Sequence, residues 1–123
     1  MRRLAHKERE ESIEEMRHAD RLVERILFLG GIPGMQALNR LRIGETIPEL
    51  LKADLALEME ALALLRDAIQ HSEQVRDFVS RELFVEILED EEEHVDFIET
   101  QFAMIEAMGL PGYTQLQSKP ADD

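Results

Sequence analysis

Glu-x-x-His occurs twice in this chain, as Glu15–His18 and as Glu91–His94. Both pairs fall where a helix should be burying apolar side chains. Residues three apart on a helix share one face, about one turn up. A carboxylate and an imidazole converging there can hold a transition metal. A buried carboxylate is very costly unless it finds a proton, a partner or a metal. The two pairs therefore constrain the fold: the helices that carry them must bring their polar groups to a common place.

Three long helical segments emerge. The first runs roughly from Arg3 to Phe28 without Pro or Gly, with apolar residues at Ile13, Met16, Leu22, Val23, Ile26 and Leu27. Gly30-Gly31-Ile32-Pro33-Gly34 ends it. A connection of about 16 residues follows, long for a helical hairpin. Leu38, Leu41 and Ile43 suggest that it packs along a surface. A long crossover lets two consecutive helices run parallel, as in ferritin-like bundles. Thr46-Ile47-Pro48-Glu49 reads as a capping box that opens the second helix, with Pro48 in the first turn. That helix should reach about Gln70, with a break at His71-Ser72-Glu73. The third should run from about Gln74 to Met108, with Gly109 as its cap. Tyr113 to Gln117 reads as one short helical turn. Residues 1–117 form one helical domain on this reading, and 118–123 a frayed tail.

Position within the apolar stripes singles out particular acids. On the second helix the stripe is Leu51, Leu55, Glu58, Leu62, Leu65 and Ile69, so Glu58 sits among leucines. On the third it is Phe84, Ile87, Leu88, Glu91, His94, Val95, Ile98, Phe102 and Ile105, interrupted at its centre by Glu91 and His94. On the first, Glu15, His18, Leu22 and Ile26 share a face. Each residue has a plainer reading: Glu58 paired with an arginine, Glu91 solvated within an acidic run, His18 and His94 bonded to carboxylates in the core. Only a metal site accounts for all five together. Two such pairs with a further Glu form the side-chain set of a carboxylate-bridged di-iron site in a helix bundle. His6 and His71 lack both features and read as surface residues.

Composition agrees. With no cysteine, any metal must be held by oxygen and nitrogen, which suits iron, manganese or zinc. A net charge of −13 argues against nucleic-acid partners and anionic membrane surfaces. No apolar run approaches the ~20 residues that span a bilayer. No signal-peptide pattern follows Met1, so the expected location is cytoplasmic.

The sequence resembles bacterioferritin, the haem-containing branch of the ferritin-like iron-storage proteins. The stretches that carry the resemblance are Glu11-Ser12-Ile13-Glu14-Glu15-Met16-Arg17-His18-Ala19-Asp20-Arg21, Arg25-Ile26-Leu27-Phe28-Leu29, Asp54-Leu55-Ala56-Leu57-Glu58, and Glu86-Ile87-Leu88 through Asp90-Glu91-Glu92-Glu93-His94. It implies that Glu15 and Glu91 bridge two irons, as the catalytic pair. His18 would complete one iron site, and Glu58 with His94 the other. Met16 would ligate haem b, with an equivalent Met from a second subunit opposite it. One residue of rise turns Met16 about 100° from Glu15, so it can face a neighbouring subunit while Glu15 faces inward.

The implied function is iron storage and detoxification. Fe2+ would be oxidised by dioxygen or peroxide in a ferroxidase reaction, and ferric mineral would accumulate in a multi-subunit shell. The implied partners are Fe2+, ferric mineral and other bacterioferritin subunits, as a homo- or co-oligomer.

The implied fold is an all-α ferritin-like four-helix bundle without its first helix: three long helices with a long crossover, plus a short C-terminal helix. In the family that first helix supplies a sixth ligand, a terminal Glu on the His18 iron, and a tyrosine near the irons. Where the family often places a His four residues before Glu14, this chain has Glu10. The alternative function is a truncated, non-catalytic subunit that associates with full-length ones. Either way, a three-helix chain should expose apolar stripes of the second and third helices, with Leu51, Leu55, Leu62, Leu65, Ile87, Val95, Ile98 and Phe102, and should not persist as a monomer.

Overall fold

The computed structural model describes residues 2–30 and 46–120. It contains α1 (Arg2–Phe28), α2 (Ile47–Gln74) and α3 (Phe78–Gln117). No strand occurs among the described residues. The architecture is all-α, as expected. The crossover with Leu38, Leu41 and Ile43 lies outside the described residues, as do residues 121–123.

The helix ends follow local chemistry. Thr46 Oγ1 accepts the Glu49 backbone N–H at 3.4 Å, and Pro48 sits in the first turn of α2. That is the start the capping pattern predicts. The end of α2 differs. His71-Ser72-Glu73 does not break the helix, because the Ser72 hydroxyl donates to Ala68 O at 2.8 Å and stays within the helical ladder. The chain turns at Arg76, which adopts φ 61°. Arg76 N–H donates to Glu73 O and Asp77 N–H to Ser72 O. These two bonds make a Schellman closure, normally marked by glycine in the left-handed position. With arginine there, the sequence carries no such mark. Asp77 then caps α3, accepting the Ser80 N–H at 3.1 Å and its hydroxyl at 2.5 Å.

Gly109 (φ 75°, ψ 159°) is non-helical and divides α3 into two arms, so the long arm ends where a helix end is expected and a short one follows through Pro111 to Gln117. The far arm is the expected short C-terminal helix. The kink swings Tyr113 inward. Tyr113 is fully buried and donates to Gln101 Oε1 at 2.8 Å.

Contacts across the helices fix their directions. Arg25 meets Asp77, His18 meets Asp90 and Glu91, and Lys7 lies over the Phe97 ring. As α1 descends in number α3 ascends, so the two are antiparallel. Leu51 packs with Ile98 and Glu58 faces His94, so α2 is also antiparallel to α3. Hence α1 and α2 run parallel, as the long crossover allows. Among the described residues their backbones stay apart and both lean on α3, while Leu4 of α1 and Leu51 of α2 join one buried cluster with Ile98.

The apolar core lies between α2 and α3. Leu51, Leu62, Ile87, Val95 and Ile98 are buried, and Leu55, Leu65 and Phe102 are partly buried. This corrects one expectation: these stripes are not the exposed ones. They face each other across the α2–α3 pair. The exposed apolar residues of α2 include Leu57 and Leu64, about 100–120° round the helix from Glu58. On α1, Ile13 and Met16 are exposed, and the buried residues are only Leu4, Glu11 and His18.

Candidate metal centre

Each expected ligand arrives by a simple route. Glu58 projects from the buried face of α2, one turn before Leu62. Glu91 and His94 share the buried face of α3, one turn apart. Glu15 and His18 share one side of α1. Ligand atoms of Glu15, Glu58, Glu91 and His94 all lie within 4.8 Å of one another. Glu58, Glu91 and His94 are buried, while Glu15 is exposed over part of its surface.

His18 reaches the same place differently. Its Nδ1 lies 3.0 Å from Glu91 Oε1, and its Nε2 lies 2.9 Å from Asp90 Oδ2. Glu14 Oε1 is 3.8 Å from that Nε2. Glu14, His18 and Asp90 thus form a second group beside the first, joined to it through Glu91.

Several buried atoms in this cluster have no hydrogen-bond partner: Glu58 Oε2, Glu91 Oε2, and Nδ1 and Nε2 of His94. His94 Nδ1 lies 3.1 Å from Glu58 Oε1 without hydrogen-bond alignment. Orphaned polar atoms are rare in protein interiors, where an unmade hydrogen bond costs free energy. Hard carboxylate oxygens plus imidazole nitrogens fit a divalent first-row ion, iron included. The donor set therefore passes the chemical test for a metal.

The electrostatics describe what holds the groups in place without one. The Glu15 carboxyl is pushed up to about 8, by desolvation first and then by its hydrogen bond to Glu91 and that carboxylate's charge. His18 is raised to about 9, chiefly by its hydrogen bond to Glu91, against desolvation and with help from Asp90. Burial pushes Glu91 up, but hydrogen bonds from His18 and Glu15 and the two histidine charges outweigh it, so its carboxyl is held below the ordinary value. At neutral pH the cluster holds protons on Glu15 and His18 around an ionised Glu91. Entering cations must displace those protons.

Sequence reasoning missed some residues. Glu11 is buried, with Oε2 at 3.6 Å from His94 Nδ1 and Oε1 at 3.0 Å from Lys7 Nζ. Leu4, Glu11 and His18 recur every seventh residue, the seam of α1 on α3, but with two of the three polar no apolar stripe marked it. Asp90 looked like one more acid in an acidic run. Asp54 is buried one turn before Glu58. Met16, the expected haem ligand, is 60% exposed and joins neither ligand group. His6 pairs with Glu10 at 2.7 Å and His71 is exposed, so both lie outside the cluster, as expected.

The ferritin-like domain family model matches residues 1–108. Bacterioferritin of Brucella melitensis is 48% identical over 121 residues, which is 98% of this chain and 75% of that protein. Bacterioferritin of Rhodobacter capsulatus is 48% identical over 120 residues, covering 98% and 74%. Bacterioferritin of Mycobacterium avium is 42% identical over 118 residues, covering 95% and 74%. The three-helix geometry, the converging ligand set and these likenesses agree: the chain belongs to the bacterioferritins, within the ferritin-like family.

Proposed function

We propose that this chain is a ferroxidase subunit for iron storage and detoxification. Glu15, His18, Glu58, Glu91 and His94 would hold two iron ions, with Glu15 and Glu91 between them. The observation that carries this reading is the convergence of four ligand side chains within 4.8 Å, three of them buried and each of those three with an unpartnered polar atom. Iron would supply one-electron redox chemistry, with Fe2+ as substrate and dioxygen or peroxide as the electron acceptor. The chain's own contribution is to bind and to exchange protons. Glu91 stays ionised and central, and Glu15 and His18 release protons as Fe2+ arrives. Hard carboxylates favour the ferric product. A protein of this kind would act in the cytoplasm within a multi-subunit assembly that stores the ferric mineral. No helix among the described residues is long and apolar enough to cross a membrane.

Anaerobic loading with Fe2+ followed by oxygen tests the reading through the rise of ferric absorbance. Glu91→Ala should lower metal affinity by on the order of 100-fold or more, beyond the usual cost of losing an outer-shell partner, and abolish the oxidation. Full activity in that variant would move the chemistry elsewhere, for example to the acidic surface of Glu89, Glu92, Glu93 and Asp96.

Haem b is the second group proposed. The exposed thioether of Met16 fits an axial ligand shared with the same residue of another subunit. Met16→Leu should remove the haem absorbance, at about half a haem per chain, and leave metal oxidation intact. Haem retention in that variant would discard the assignment.

One observation favours a second reading. The backbones of α1 and α2 stay apart, and Glu15 between them is exposed. A chain of this kind would act as a non-catalytic partner that completes its bundle with other subunits. Light scattering, alone and after mixing with a full-length bacterioferritin, separates the readings. Oxidation by the isolated chain supports the first, and oxidation only in the mixed assembly supports the second.

A further inference from the structure

We propose that the Lys7 ammonium is a tethered cation that keeps divalent ions off Glu11 and so closes one end of the metal centre. The proposal deepens the dinuclear reading and rests on it for the ions that Lys7 borders. Of the five acids between Lys7 and His18 on α1, only Glu11 is buried. Its Oε2 lies 3.6 Å from His94 Nδ1, and its Oε1 lies 3.0 Å from Lys7 Nζ. Glu11 therefore stands between the buried donors of the centre and the ammonium.

Lys7 is held from three sides. Besides Glu11, Glu10 Oε2 lies 3.8 Å from Nζ, and the Phe97 ring centroid lies 5.4 Å away. Carboxylates and an aromatic face are what a cation selects. The place is a cation site, and the chain fills it with its own side chain. On its outer side Lys7 lines an open groove of about 330 Å³, with Arg3, His6, Glu10 and Phe97 among the walls. The ammonium thus sits between that groove and Glu11. Burial works against its charge, but the bond to Glu11 and the charges of Glu11, Glu10 and Glu14 outweigh it and hold Lys7 above its ordinary value. It stays charged through the neutral range. A neutral residue here would leave Glu11 as a buried carboxylate without its ammonium. Such a group must find another cation or a proton. It would do so beside Glu58 Oε2 and both nitrogens of His94, which already lack hydrogen-bond partners. A divalent ion from the groove would then take the place that Lys7 holds. The plainer role, an ion pair that only fastens α1 to α3, predicts lost stability with no extra ion.

Anaerobic Co2+ titration of the full chain, with bound ions counted by native mass spectrometry, separates the two roles. Lys7→Gln should bind one ion more per chain than wild type. Lys7→Arg keeps the charge and should bind the wild-type number. Adding Glu11→Gln to Lys7→Gln should remove the extra ion. An unchanged count in a folded Lys7→Gln chain would overturn the proposal, and so would an extra ion in Lys7→Arg. Anomalous diffraction from wild-type crystals soaked in excess Co2+ decides the matter without a variant. Lys7 should remain on Glu11 with no ion bound there; an ion on Glu11 would overturn the proposal. A wild-type chain with no ion in the buried cluster would sink the dinuclear reading, while the extra ion in Lys7→Gln would still uphold the role of Lys7.

Discussion

The two halves of the candidate centre are held by different forces. On the α2–α3 side, Glu58, Glu91 and His94 sit among Leu62, Ile87, Val95 and Ile98, which bury them and leave polar atoms without partners. On the α1 side, Glu15 is part-exposed and His18 is bound by carboxylates on both ring nitrogens. Salt bridges continue along that seam: Arg21 with Glu86, and Arg25 with Asp77 at 2.9 Å. The Arg25 guanidinium also donates to Ser80 Oγ at 2.8 Å. One half is a core with polar groups trapped inside it. The other is a polar zipper laid along that core. The first is preorganised for a cation; the second must release protons and rearrange hydrogen bonds to accept one.

The largest consequence concerns metal affinity. Two ions should bind unequally, the tighter on the Glu58–His94 side. His94→Ala should remove the tighter phase of an anaerobic Co2+ titration and His18→Ala the weaker one. An affinity gap of about tenfold or more, roughly 1.4 kcal/mol, is expected. Two equal sites would erase the distinction between the halves.

The next effect is pH dependence. Glu15 is raised from 4.5 to about 8 and His18 from 6.5 to about 9. Both bind protons more strongly in the folded chain. Their contribution to stability is fully present below the unfolded values. It falls as pH rises through about 4.5–8 for Glu15 and about 6.5–9 for His18. Glu91 has the opposite sign, and its contribution is lost only in acid. Metal-free chain should therefore lose stability between about pH 4.5 and 9, while metal affinity rises over the same range because protons and cations compete. Thermal unfolding with and without Co2+ across that range checks both slopes. Stability that rises with alkalinity in the metal-free chain would remove the proton-filled cluster.

Much of this difference was legible in the residues themselves, and some was not. The stripes on α2 and α3 identified Glu58, Glu91 and His94, because an acid flanked by leucines at helical spacing is carried into the core and must find a proton, a partner or a metal there. The α1 face was harder to read. Its buried seam is Leu4, Glu11 and His18, mostly polar, so hydropathy could not find Glu11 or rank it above Glu14. Asp90 was hidden in the acidic run because its role depends on a residue 72 positions away. The end of α2 was misplaced because Arg76 occupies a conformation that glycine usually advertises. Pattern finds what apolar burial organises. Pairing between distant charges leaves no local trace.

The smallest effect tests the zipper itself. Backbone amides of α1 should exchange hydrogen faster than those of α2 and α3, since its contacts are few and, Leu4 apart, mostly polar. Added salt should widen the gap, because the Debye length shrinks to about 3 Å at 1 M. Equal protection along all three helices would show that α1 is held by more than charge.

The most direct test is anomalous diffraction from crystals of the chain loaded anaerobically with Fe2+ or Co2+. The account predicts two ions about 3.5–4 Å apart, both in contact with Glu15 and Glu91, one also with Glu58 and His94 and the other with His18. Ions found only at the acidic surface of Glu89, Glu92, Glu93 and Asp96, with none in the buried cluster, would contradict it.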